Sequence, residues 1–281
     1  MSTTNNININ RENSTTFADS DYNSTAYNAY RPTYPSQLYS KVYDYHASHS
    51  SSFSTALDIA TGTGYVAKEL SKKFQQVYAT DISPVMLSSA YRSSNIQYSV
   101  STAEDLSQFQ DSTIDLVTVG QALHWFDREK FFKEVWRVLK QSGTLAFWGY
   151  SYNVIDGYPT ATKKFMKLGV ETFGDYWDPG RLVVDNMYKE VVIPDKLFRN
   201  IIWKRYEFDE KEGQMSNGES LLSEEWSVER FKNYIKYQRE NQKVEDPIDK
   251  LFEELEKEEG WKDDQILKIS WPLVLAFVEK K

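Results

Sequence analysis

The chain has 281 residues, with 33 Lys and Arg against 41 Asp and Glu, a net charge of −8, 15% aromatic residues and no cysteine. A chain of this length can bury a substantial core, as one large domain or as a domain with an insertion. The missing thiols exclude disulfides, thiolate zinc sites and cysteine nucleophiles, and the acidic balance argues against nucleic acid, whose phosphates call for a basic stripe.

Residues 1–16, MSTTNNININRENSTT, carry neither a basic start nor an apolar core. They do not read as a signal peptide and, with little to bury, are expected to form a disordered tail. No apolar run approaches the roughly 20 residues of a spanning helix, so a soluble, cytoplasmic protein without a membrane span is the default expectation.

Residues 17–54 read as an N-terminal lid and helix. Phe17, Tyr22, Tyr27, Tyr30 and Tyr34 surround Arg31-Pro32 and Pro35. The prolines stop any helix and hold an extended corner. Leu38, Val42 and Tyr45 then fall on one helical face, before a Ser-rich linker at 48–54. The tyrosines and Arg31 either staple the N-terminus to the core or face a polar substrate with phenol hydroxyls and a guanidinium.

Residues 55–150 read as a nucleotide-binding core. Ala56-Leu57-Asp58-Ile59-Ala60 suits a buried parallel strand. Gly62 and Gly64 follow, then a helical pattern through Val66, Leu70 and Phe74, then a second strand, Val77-Tyr78-Ala79, ended by Asp81. Strand, glycine turn, helix, strand and acid make a βαβ unit for a nucleotide. A dinucleotide would use the glycines for its pyrophosphate and the acid for a ribose. Asp58 favours another occupant: a buried carboxylate at that strand end is costly unless a cationic ligand lies nearby.

Ser83 and Pro84 cap the next helix, which carries Met86, Leu87 and Ala90. Ile96–Val100 is a third strand, followed by Ala103-Glu104-Asp105. Ile114–Val119 is a fourth, running into Gln121-Ala-Leu-His124-Trp125-Phe126-Asp127. Phe131, Phe132, Val135 and Leu139 line a helix over 128–139, with Gly143 as its expected cap. Thr144–Trp148 is a fifth strand. Alternating strands and helices indicate an α/β doubly wound sheet, with ligands at the carboxyl ends of its strands.

Residues 151–281 are expected to hold a cap insertion and the last two strands. Residues 153–196 look mixed. Phe198–Phe208 reads as a sixth strand, 227–238 and 249–259 as helices, and Ile266–Val278 as a seventh strand with Pro272 at a bulge or edge. From Tyr206 to Asp264 there are 19 acidic and 9 basic residues, a difference of −10, consistent with solvated helical faces.

The segment Asp58-Ile-Ala-Thr-Gly-Thr-Gly64 resembles motif I of the class I S-adenosylmethionine-dependent methyltransferases, with Ala60 where that family has its first glycine. The blocks Tyr30-Arg31-Pro32-x-Tyr34-Pro35, Ala122-Leu-His124-Trp125-Phe126-Asp127, Phe147-Trp148-Gly149-Tyr150 and Tyr176-Trp177-x-Pro179-Gly180-Arg181 occur in that order. Together they resemble the fungal trans-aconitate methyltransferases and relatives acting on small carboxylic acids, strongly from residue 17 to about 181.

The resemblance implies a seven-stranded Rossmann-like sheet with a helical cap. S-adenosylmethionine would be held by Asp58, Ala60, Thr61, Gly62, Gly64, Asp81, Ile82, Met86, Ala103, Glu104 and Gln121. Thr102 stands where the family places its adenine-binding acid. A carboxylate, ionised near neutral pH with a reference pKa of about 4, would attack the sulfonium methyl without a general base. Arginine forks suit such a substrate, which points to Arg31 and Arg181, with Tyr30, Tyr34, Trp148 and Tyr150 lining the pocket. His124, Trp125 and Arg31 are the candidate catalytic residues, and no metal is expected. If the acceptor were a hydroxyl or amine, His124 would be the base. A protein that binds the cofactor or an acid without turnover is the third reading. The expected partners are a small organic acid and, at most, a second copy in a homodimer.

Overall fold

The computed structural model describes residues 31–50, 52–172, 180–216, 219–237 and 247–281. The tail, Phe17 to Tyr30, and Tyr176, Trp177 and Pro179 lie outside the described residues. Helix α1 (Ser36–Ala47) begins after the extended Pro35 and buries Leu38, Tyr39, Val42 and His46, one helical stripe. Next come β1 (Thr55–Ile59), α2 (Tyr65–Leu70), β2 (Gln76–Asp81), α3 (Pro84–Ser88), β3 (Ile96–Val100), β4 (Ile114–Gly120), α4 (Arg128–Val138) and β5 (Leu139–Tyr150). As the sequence suggests, Ser83 caps α3: its hydroxyl accepts the Met86 N–H at 3.3 Å, and Pro84 occupies the first turn.

Beyond β5 lie β6 (Val154–Ile155), α5 (Pro159–Lys167), α6 (Gly180–Asp185), β7 (Phe198–Tyr206), β8 (Phe208–Asp209), β9 (Gln214–Met215) and β10 (Leu222–Ser227). They are followed by α7 (Val228–Tyr237), α8 (Pro247–Glu259), β11 (Ile266–Trp271) and β12 (Leu273–Lys280). The main sheet has seven strands in the order β3-β2-β1-β4-β5-β12-β7. Strands β1 to β5 run parallel, while β12 lies antiparallel between β5 and β7. This is the doubly wound, Rossmann-like sheet of the class I methyltransferase fold. Each face carries its own core. Leu38, Val66, Leu70, Trp148 and Leu275 share one cluster; Ile59, Val119, Phe131, Phe147 and Val184 share the other.

Three element readings need correction. The run 266–278 is two strands: β11 belongs to a second sheet, ordered β10-β11-β6, and β12 to the main one. Pro272 sits between them, where a residue with no N–H can end one ladder before another begins. Phe198–Phe208 breaks after Tyr206, with β8 and β9 forming a small separate hairpin. Helix α4 ends at Val138 and passes straight into β5, so Gly143 is no helix cap. It lies within β5, where a Cβ would stand 2.8 Å from the Lys140 carbonyl oxygen.

Helices α5, α7 and α8 meet one another through Phe165, Phe231 and Phe252, with ring centroids 5.0 to 5.9 Å apart, and share a core cluster with Trp226 and Trp271 of the second sheet. Part of the acidic run is spent here. Glu258 of α8 pairs with Lys164 of α5 at 2.7 Å, and Asp249 pairs with Lys232 and Lys236 of α7, both at 2.7 Å. Among the described residues no helix is long and apolar enough to cross a membrane.

Candidate active site

Register fixes which residues share a face. Asp58 of β1 stands opposite Thr118 of β4, Thr118 opposite Ala146 of β5, and Gly120 opposite Trp148. Side chains alternate along a strand, so Asp58, Thr118, Gly120, Trp148 and Tyr150 all point to the face covered by α1. At the carboxyl ends of these strands lies a small cleft, with room of about 40 Å³ for water-sized groups. It is lined by Arg31, Pro32, Thr33, Tyr34, Asp58, Ala60, Thr61, Thr63, Tyr65, Val66, Gly120 and Tyr150.

The turn after β1 is built around two carboxylates. Asp58, 1% exposed, accepts the Thr61 hydroxyl at 2.5 Å and the Thr118 hydroxyl at 2.7 Å. Burial pushes its pKa up to about 7; the two hydroxyl bonds oppose the rise and the nearby Asp81 adds to it. Asp81 accepts the Gly62 N–H at 2.8 Å and the Ser83 N–H at 2.9 Å, and burial raises its pKa as well. Ala60, Gly62 and Gly64 all have positive φ, 54°, 58° and 81°. Ala60 therefore holds the left-handed conformation that a glycine would adopt without strain, at a cost of about 1–2 kcal/mol. At Gly64 a Cβ would run into the Tyr98 hydroxyl.

Of the substrate-side candidates, Arg31 donates from Nη1 to the Tyr150 hydroxyl at 2.8 Å inside the cleft. Tyr34 meets the Trp148 ring edge-on at 5.3 Å. Arg181 donates from Nε to Asp185 at 2.9 and 3.0 Å and lies over the Tyr152 ring at 4.7 Å. His124 and Trp125 occupy a 3-10 turn, Leu123–Trp125, and face α6 rather than the cleft. His124 Nδ1 lies 3.1 Å from the Tyr188 hydroxyl, and Trp125 packs where a Gly180 Cβ would be. Burial holds the His124 pKa well below its ordinary value, helped by the charges of Arg181 and Arg31, so its ring is neutral near pH 7.

The sequence-derived cofactor residues divide. Asp58, Ala60 and Thr61 line the cleft, and Gly62, Gly64 and Asp81 build the turn beneath it. Ile82, 48% exposed, leaves an apolar side chain at the tip of β2, while Met86 and Ala103 are buried. The Glu104 carboxylate accepts the Asp127 N–H at 2.7 Å. Gln121 pairs its side-chain amide with the Tyr150 backbone, donating at 2.9 Å and accepting at 2.6 Å. Thr33, Thr63, Tyr65, Val66, Thr118 and Gly120 were missed. Only Gly120, the glycine closing the β4 pattern, carried a signal that could have marked it.

A family model described as a methyltransferase domain matches residues 57–147, from inside β1 to inside β5. Residues 57–147 thus match a methyltransferase domain. A Dictyostelium discoideum protein named as a methyltransferase is 34% identical over 169 residues, covering 60% of this chain and 63% of that protein. The Saccharomyces cerevisiae protein CRG1, named as an S-adenosylmethionine-dependent methyltransferase, is 30% identical over 162 residues, 55% of each chain. The chain thus spans less than two thirds of the length of either relative. A solved structure described as a type II methyltransferase from Anaeromyxobacter dehalogenans superposes with a TM-score of 0.65 at 22% identity, over 88% of this chain and 97% of that one, and agrees in fold.

The methyltransferase domain's residues fit its cofactor. S-adenosylmethionine presents a sulfonium and an ammonium, and Asp81 and Asp58 suit that charge, the buried Asp58 giving up its proton more readily once a cation lies beside it. A pyrophosphate would meet the same carboxylates as like charges, and would find the Gly62 amide already bonded to Asp81. Among the described residues no group of three or more His, Asp or Glu side chains could hold a metal ion.

Proposed function

We propose that the protein transfers the methyl group of S-adenosylmethionine to a carboxylate oxygen of a small organic acid of the trans-aconitate kind. When bound, the cofactor supplies an electrophilic methyl on a positively charged sulfur. The observation that carries the reading is Arg31, a guanidinium steadied by Tyr150 in the cleft that the buried Asp58 also lines. A carboxylate acceptor is ionised near neutral pH, so the chain needs no proton acceptor. Its task is to align the acid and exclude water. Arg31 would fork the acid's carboxylate, Tyr34 and Tyr150 would wall it, and Arg181 would serve a second carboxylate by exchanging its Asp185 partner for the substrate. Residues 151–196 and the helices within 227–259 would form the cap, and Tyr30 would join the substrate side.

His124 as a base for a hydroxyl or amine acceptor has one observation behind it, its neutral ring. The burial of His124, 5% exposed, against the Tyr188 hydroxyl favours the carboxylate reading. Release of S-adenosylhomocysteine over a panel of di- and tricarboxylic acids tests the choice. The expected result is turnover of at least one acid, a fall of about tenfold or more in kcat/KM for Arg31→Ala and Arg181→Ala, and retained turnover in His124→Ala. Cofactor binding without release on any acceptor would instead mark a binding protein.

A further inference from the structure

Trp148 is fully buried, and its indole Nε1–H has no hydrogen-bond partner. Leaving such a donor unpaired costs about 1–3 kcal/mol, so its retention asks for a reason. Its surroundings supply one. Gly120 stands directly opposite Trp148 across β4 and β5 and itself lines the cleft. A Cβ on Gly120 would lie 3.3 Å from Nε1 and 3.2 Å from Cζ2. The missing side chain leaves only the Gly120 backbone beside the indole edge, so the buried Nε1 lies behind a residue that lines the cleft. Tyr34 and Tyr39 hold the ring edge-on at 5.3 and 6.3 Å, so it is not free to turn away.

We propose that Trp148 Nε1–H donates a hydrogen bond to a carboxylate oxygen of the ligand in this cleft, and that Gly120 keeps the path to it open. An N–H dipole suits an anionic acceptor and disfavours the sulfonium. The inference rests on the methyltransferase reading above, which offers two such oxygens, one on the amino-acid end of S-adenosylmethionine and one on the acid substrate. The bond makes Trp148 a positioning group and adds nothing to proton transfer.

The test uses the full chain with Trp148→Phe, which removes the donor and keeps an aromatic ring, and Gly120→Ala, which keeps the donor and obstructs it. Calorimetric affinities for S-adenosylhomocysteine and for methylthioadenosine, which lacks the amino-acid end, are compared with KM for the acid. A loss of about 10-fold or more for S-adenosylhomocysteine in both variants, absent for methylthioadenosine, assigns the bond to the cofactor carboxylate. An equal loss confined to KM assigns it to the substrate. If Trp148→Phe leaves both within twofold, the inference is overturned, even where Gly120→Ala is impaired by bulk. Should Trp148→Phe fail to fold, the indole ¹⁵N spectrum of the unmodified protein decides: one indole N–H must move downfield on ligand addition, and eight unmoved resonances overturn the proposal. A protein that binds S-adenosylhomocysteine yet turns over no acid refutes the proposed function alone, because the calorimetric arm still reads the bond. A protein that does not bind the cofactor refutes both.

Discussion

Asp58 shows how one residue ties the site to the stability of the fold. Folded, it keeps its proton up to about pH 7 because it is buried; unfolded, it loses the proton near pH 4. Between those values the unfolded chain binds fewer protons, so stability falls as pH rises from about 4 to 7 and levels off above. Asp58→Asn removes this slope. Urea unfolding should show the variant gaining on the wild type by roughly 2–4 kcal/mol between pH 4.5 and pH 8, and parallel pH curves would contradict the assignment. The acid was legible in sequence because a charge within an apolar strand stands out. Its proton was not, since that depends on Thr118, 60 residues away, and on burial by other strands.

At the scale of elements, β5 is where the two faces of the sheet divide their work. Trp148 and Tyr150 turn to the cleft, while Phe147 and Gly149 turn to α6. Gly149 leaves room for that helix: a Cβ would lie 2.7 Å from both the Tyr188 hydroxyl and Val184 Cγ2. Gly149→Ala should therefore displace α6, cost about 1–3 kcal/mol by overpacking, and disturb the His124–Tyr188 contact. Thermal melting reads the cost, and the His124 ring resonances read the contact. A variant with wild-type stability and unmoved resonances would mean that α6 yields freely. The sequence offered Gly149 as part of a motif, without a reason for glycine, because the helix that needs the space begins thirty residues later.

For the whole molecule, the stretch matching the methyltransferase domain is not self-sufficient. All eight residues of β12 are buried between β5 and β7, so a fragment of residues 55–150 would expose the apolar edge of β5. It should show no cooperative urea transition and should aggregate; a sigmoidal unfolding curve from the soluble fragment would show that the late strands are dispensable. By itself the sequence determined the alternation of strands and helices through β5, the capped turn at Ser83 and the acid–glycine–acid layout, because each is written in the period and chemistry of adjacent residues. Only the tertiary structure decided that Pro272 separates two sheets, that Arg31 meets Tyr150 across 119 residues, that Arg181 pairs with Asp185, and that Gly120 opens onto Trp148. Those outcomes depend on which strands and helices become neighbours, and local pattern carries no information about partners so far along the chain.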